Sequence, residues 1–283
     1  MQIDISSFIK NTGKLPSLPS IYFELSDAAE NPDSSLTVVG NIVRKDQSLL
    51  SRLLKISNSP LYGFPSQIET IEDALRLIGM HEMRDLALAT CVIGSFHNLP
   101  ATLVNATDFW RHSIATGITS SLLAEMRRDP SPERFFVGGL LHDIGRLVMY
   151  LKAGPESAEI LRRYEAGNLP PCAVETEILG FDHAALGAEL LTAWNISPGI
   201  VEMVRWHHQP TAAIGVIGDD STVHCADFIT TALEFGGSGE SSVSPVSPEA
   251  IQQCLPDDTS MESLALEIEE RCQQLCPILT GNH

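Results

Sequence analysis

Residues 140–149 read LLHDIGRLVM, which sets His142 and Asp143 side by side in an otherwise apolar stretch. Imidazole and carboxylate are both metal-competent groups, and neither is at home in a segment about to be buried. The same two residue types recur along the chain: His112 in FWRHS, His183 in GFDHAALG, the pair His207–His208 in RWHHQP, and Asp227 in HCADF. Taken singly, each has a plain explanation. A histidine in an apolar helix is more often a hydrogen-bonded core residue than a ligand. Paired histidines before a proline often close a solvated helix end, and Asp182 or His183 is placed to cap the helix that follows. Taken together, they lie 19 to 40 residues apart on successive helical segments. Bundles build internal metal sites in this way, from one or two inward side chains per helix. Five imidazoles and two carboxylates suffice for a two-ion centre of Fe, Mn, Ni, Co or Zn, with a carboxylate as bridge. Such centres activate water and clamp a phosphoryl group between ions ~3.5–4 Å apart. Neighbours on a helix diverge by about 100°, so His142 and Asp143 suit two ions, or a helix end, better than one ion.

The elements that must position these residues are helical nearly throughout. SIYFELSDAAE, LTVVGNIVRKDQSLLSRLLKISN, IEDALRLIGMHEMRDLALATCVIGSF and DFWRHSIATGITSSLLAEMRR carry apolar residues at three- and four-residue spacing. Alternating β-branched runs and hairpin dipeptides are scarce, so the fold class is all-α. ENPDSS ends one helix and offers Asp33 or Ser34 as cap for the next. Thr70 with Asp73 resembles a capping pair, and one helix is expected to start near Asp108. Residues 236–250, GGSGESSVSPVSPEA, form the one stretch with linker composition, and SMESLALEIEERCQQLCPIL reads as a final amphipathic helix.

Composition narrows the function classes. Acidic residues outnumber basic ones 36 to 18, for a net charge of −18, which repels a phosphate backbone and argues against nucleic-acid binding. The same surface favours a basic protein partner. Apolar runs are too short to span a bilayer, and the N-terminal MQIDISSFIKNTGK lacks the basic start and apolar core of a signal peptide. A cytoplasmic protein without membrane attachment is expected. The six cysteines show no CxxC spacing and read as reduced, mostly buried thiols.

The order His…His-Asp…His…His-His…Asp resembles the HD superfamily of metal-dependent phosphohydrolases. KLPSLPSIYFEL, DQSLLSRLLKISNSPLYGF and IETIEDALRLIGMHEMRDLAL resemble the hallmark segments of its HDOD (HD-related output domain) branch, over about Lys14 to Phe235. LLKISNSPLYG is the most specific piece, through Asn58–Ser59 and Tyr62–Gly63. The resemblance implies an N-terminal helical bundle packed against an HD-like bundle in a bacterial signalling protein. The parts expected are residues 1–100, the HD-like part 101–235, a flexible linker 236–258 and a C-terminal helix 259–283. It further implies His112, His142, Asp143, His183, His207, His208 and Asp227 as ligands of a divalent transition metal centre, with two ions. HDOD proteins frequently lack some of these ligands and usually serve as non-catalytic output modules, whereas here every position is filled. Asp108 stands where some three-metal relatives place a glutamate, although an N-cap role fits it better.

Two features bear on catalysis. No Gly-Tyr-Pro follows the paired histidines in HHQPTAAIGVIGDD, which disfavours cyclic-di-GMP hydrolysis. Arg146 stands where related phosphodiesterases usually have lysine; it can contact phosphate in a bidentate way or form a structural ion pair. Two readings follow, and enzyme status stays open between them. The first is a signalling output module with an HD-type metal site, meeting a signalling protein partner in trans. The alternative is a phosphohydrolase acting on a phosphorylated small molecule, with Asp143 and Arg146 as catalytic residues and a metal-bridging hydroxide as nucleophile.

Overall fold

The computed structural model describes residues 5–11, 17–96, 99–167, 169–209, 219–239, 248–256 and 259–281. Every regular element among them is an α-helix, as the periodicity requires. The chain divides into two compact units, one of Met1–Leu15 with Asn98–Ile268, the other of Pro16–His97 with Glu269–His283.

In chain order the first helix is α1 (Ile5–Asn11), which belongs to the larger unit; Phe8 meets Phe181 edge-on there. The smaller unit then takes α2 (Ser20–Glu30), α3 (Leu36–Val43), α4 (Gln47–Ser57), α5 (Ile71–Ile78) and α6 (Met80–Ser95). Its core is aliphatic, with Leu25, Val39, Val43, Leu53, Ile56 and Met83 buried. Ser35, not Asp33 or Ser34, caps α3 by accepting from Val38 N at 3.3 Å. It is the residue directly before the first helical turn, the position from which a side-chain oxygen reaches the free amides. Thr70 caps α5 as expected, accepting from Asp73 N at 3.1 Å while its hydroxyl donates to the Asp73 carboxylate at 2.6 Å. Asn58 closes α4 and clamps the loop after it: its amide donates to Leu54 O and Ile68 O, and its oxygen accepts from Ile68 N at 2.7 Å.

The larger unit continues with α7 (Ala106–Met126), α8 (Glu133–Leu141), α9 (Ile144–Lys152), α10 (Gly154–Ala166), α11 (Pro171–Leu179), α12 (His183–Ala193), α13 (Pro198–Trp206), α14 (Asp219–Ala232) and α15 (Pro248–Cys254). Helix α7 packs on α8 and α14, and α12 packs on α9 and α13. Asn105 caps α7, accepting from Thr107 N and Asp108 N; Asp108 therefore lies inside the first turn instead of capping it. The last helix, α16 (Met261–Thr280), contributes residues to Ile268 to the larger unit and later ones to the smaller.

The expected linker is not uniform. Residues 240–247 and 257–258 of it lie outside the described residues, whereas 248–254 form α15, whose Cys254 sits against Ser221 O at 3.5 Å. Ser238 O accepts from Tyr150 Oη at 2.6 Å, so the glycine-rich start is anchored as well. None of the six cysteines is in a disulfide. Among the described residues no helix is long and apolar enough to cross a membrane.

Candidate metal centre

Five of the seven candidate ligands sit where helices start or stop. His142 follows the last residue of α8 and Asp143 directly precedes α9, so the HD pair occupies a joint between two helices. His183 opens α12, where Asp182 is the cap through Ala185 N at 2.8 Å. His207 and His208 follow α13. Only His112 on α7 and Asp227 on α14 lie within helices. The joint is brought to His183 by glycine: a Cβ on Gly145 would run into the His183 carbonyl oxygen and stand 2.8 Å from Gly187 N. Helices α9 and α12 thus cross with their backbones in contact.

All seven side chains converge, and they do so as two groups. Asp143, His183, His207 and His208 form one; His112, His142 and Asp227 form the other. In the first, His183 Nε2 lies 2.8 Å from His208 Nε2, 3.4 Å from His207 Nε2 and 3.1 Å from Asp143 Oδ1. In the second, Asp227 Oδ1 lies 3.1 Å from His112 Nε2 and 3.6 Å from His142 Nε2. Asp143 joins them, because its Oδ2 lies 3.4 Å from His142 Nε2. One carboxylate thus turns an oxygen toward each group.

The donor set fits divalent transition ions. His142 Nδ1 lies 2.6 Å from Gly139 O and His207 Nδ1 2.7 Å from Val204 O. A carbonyl only accepts, so both Nδ1 atoms carry a proton and each Nε2 is the atom turned toward the cluster. His183 Nδ1 donates likewise to Glu175 Oε2 at 2.7 Å. Nitrogens and carboxylate oxygens that face one another in a buried space are reconciled by a proton, as between His208 and His183, or by a metal ion. Metal–nitrogen bonds of ~2.0–2.1 Å in a tetrahedron put ligand atoms about 3.3 Å apart, within the spread of separations found here. His142 Nε2 and His112 Nδ1 are buried without a hydrogen bond, and the first of these faces both carboxylates.

Charge is arranged to match. Burial raises the Asp143 carboxyl, yet Arg146 and His142 beside it hold it well below the usual carboxylate range. Against the same burial, hydrogen bonds from His112 and His142 hold Asp227 well below it. Burial, with His208 and His183 as respective neighbours, keeps His207 and His208 neutral, far below the usual imidazole value. Burial opposes a charge on His142, but Asp143 and Asp227 outweigh it and push its pKa up to about 10. The centre therefore collects ionised oxygens and two neutral imidazoles, His207 and His208, while His142 carries a proton that a metal ion would displace.

Arg146 lies behind Asp143, fully buried. Its Nε donates to Asp143 Oδ1 at 2.9 Å and its Nη1 meets Glu175 Oε1 at 3.4 Å. Glu175 on α11, absent from the sequence reading, is 2% exposed. Its distance of eight residues from His183, across a loop, follows no helical period that would have marked it. A third grouping of Cys172, Glu175 and His183 orients the ligands and does not hold an ion: His183 Nδ1 is engaged as donor and the Arg146 cation is beside the carboxylate. Burial and Glu175 keep the Cys172 thiol protonated. His224 is a support, its Nδ1–H donating to His207 O at 2.5 Å.

The family model described as HDOD domain matches residues 15–210. An uncharacterized protein of Treponema pallidum (strain Nichols) is 29% identical over 196 residues, which are 69% of this chain and 37% of that protein. Among solved structures, an HDOD domain protein with unknown function from Geobacter sulfurreducens superposes with a TM-score of 0.73 at 22% identity, covering 97% of this chain and 95% of its own. A provisionally assigned phosphohydrolase from Shewanella amazonensis SB2B gives 0.73 at 24%, covering 96% and 97%. At these identities the likeness establishes the fold.

Proposed function

This chain belongs to the HDOD domain family, and from that premise we propose that it is a signalling output module built around a two-ion HD-type centre. The observation that carries the reading is Asp143, whose Oδ1 faces His183 while its Oδ2 faces His142. His183, His207 and His208 complete one half; His112, His142 and Asp227 complete the other. The ions are divalent transition metals, Fe, Mn, Ni, Co or Zn, as an imidazole-rich set prefers. With a net charge of −18, the chain's partner in trans is a signalling protein with a basic face.

A second reading, phosphoester hydrolysis, is favoured by the completeness of the ligand set and, among the described residues, by the partial exposure of two of its members. The Asp227 side chain is 18% exposed, against 4% for Asp143, and His208 is partly exposed. When bound, the ions supply Lewis acidity and acidify water. The residues themselves would orient and exclude: Asp143 would serve both ligand groups, the buried imidazoles would keep bulk water out, and a phosphoryl group would approach past Asp227 and His208. Arg146 is a positioning residue in this scheme, since the buried guanidinium is engaged with Asp143 and Glu175. The chain has no Gly-Tyr-Pro after His208, so cyclic-di-GMP is not the substrate proposed.

Metal analysis of the purified protein tests the centre, and aryl phosphate monoester and diester assays with His142→Ala and Asp143→Ala test turnover. Two ions per chain with no variant-sensitive turnover is the expected result and supports the output module. Turnover abolished by both substitutions selects hydrolysis, and protein that binds no metal at saturation defeats both readings.

A further inference from the structure

The seven ligands are not held alike, and the difference lies in what stands behind them. In one half, Glu175 Oε2 accepts from both His183 N at 2.9 Å and His183 Nδ1 at 2.7 Å. Val204 O holds His207 at 2.7 Å, and Arg146 holds Asp143 at 2.9 Å while meeting Glu175 at 3.4 Å. Asp143, Arg146, Glu175 and His183 thereby close a buried ring. A carboxylate behind a ligating imidazole fixes its tautomer and raises its basicity. In the other half, among the described residues, one of the two imidazoles is backed, His142 by Gly139 O. His112 Nδ1 is buried without a hydrogen bond. Asp227, the most exposed carboxylate of the set, has the Thr231 hydroxyl 3.4 Å from its Oδ1. Ligands that must be immobilised on binding lose affinity to that ordering.

Resting on the two-ion reading, we propose that the halves bind their ions unequally. Glu175 is a positioning residue that makes the Asp143–His183–His207–His208 half the tight site. The His112–His142–Asp227 half takes up and releases its divalent transition ion as the free concentration changes. The exchangeable ion gives the module a state that a partner can read. Helix α14 spans the difference, because it carries Asp227 in the loose half and His224, which donates to the carbonyl of His207 in the tight one.

The test uses the whole 283-residue chain loaded with Mn²⁺ alone and dialysed against nitrilotriacetate buffers of falling free Mn²⁺. Ions per chain are counted by plasma mass spectrometry, and calorimetric titration gives the constants. The wild type is expected to fall from two ions to one to none, in steps at least about tenfold apart. Glu175→Gln moves the tight step toward weaker binding by about 10–100-fold and leaves the other step in place. Asp227→Ala abolishes the weaker step and keeps the tight one. Circular dichroism confirms folding, and if Glu175→Gln does not fold, the wild-type steps and the Asp227→Ala result still decide. Two ions leaving in one step, both steps weakened equally by Glu175→Gln, or the tight ion lost in Asp227→Ala each overturn the inequality while sparing the two-ion centre. A wild type that never binds more than one ion overturns the two-ion reading itself.

Discussion

The smaller unit and the histidine cluster both hold many polar side chains, and they use them in opposite ways. In the smaller unit polar groups turn back on the main chain. Ser57 donates to Leu53 O, Ser59 to Ile56 O and Thr90 to Ala87 O, while Asn58 satisfies both main-chain groups of Ile68. The buried cation Arg84 is paired with Asp85 and Glu30. These groups explain the fold. In the cluster, side chains from six helices and their ends face one another instead, carboxylates against imidazoles. Residue types that could hold a metal ion are gathered there. Polar groups turned on the main chain thus shape the fold, and polar groups turned on one another make the candidate site.

The strongest way to break that contrast is Asp143→Ala. It removes the carboxylate shared by the two ligand groups and breaks the buried Asp143–Arg146 ion pair, a loss of about 3–5 kcal/mol. Metal content near zero and a lower denaturant midpoint are the expected results; retention of both ions would show that Asp143 is not the bridge.

The pH dependence sharpens it next. In metal-stripped protein the His142 pKa is raised from 6.5 to about 10. Its protonated form then contributes stability in full below about pH 6.5, and that stability is lost as pH rises through about 10. The loaded protein runs the other way, since ions displace protons from the ligands and are held better as pH rises. Thermal melts with and without chelator at about pH 6.5 and pH 9.5 should therefore diverge, the gap widening at the higher pH.

Gly145→Ala has a smaller energetic effect with a specific signature. Forcing α9 from α12 costs about 1–3 kcal/mol as overpacking, and it separates Asp143 from His183. Ion content below two per chain is expected by mass spectrometry, while helicity by circular dichroism stays close to that of the parent.

Asn58→Ala is the mildest and serves as the control from the other region. Releasing the loop clamp costs about 1–2 kcal/mol, read by chemical denaturation, given ~1 kcal/mol per hydrogen bond and partial exposure. The metal content should not change. A loss of ions in this variant would erase the distinction between the two kinds of polar group.

Much of this was legible in the chain itself. The helical class, the Thr70 cap and the seven candidate side chains that converge were marked by residue type and spacing, because helices repeat locally and transition metals accept few kinds of donor. Boundaries were less legible. Ser35 and Asn105 took the caps that neighbouring Ser34, Asp33 and Asp108 offered equally well by type, and α15 formed inside a stretch with linker composition. What only the tertiary structure decided is how the seven ligands divide and what holds them. Glu175 reaches His183 across a loop, Arg146 joins Asp143 to Glu175, and Gly145 lets two backbones touch. The last two relate elements distant along the chain, and the first crosses a loop with no helical period to mark it. The hydrogen-bonding direction of an imidazole depends on which carbonyl or carboxylate packing places against it, and spacing carries no record of that.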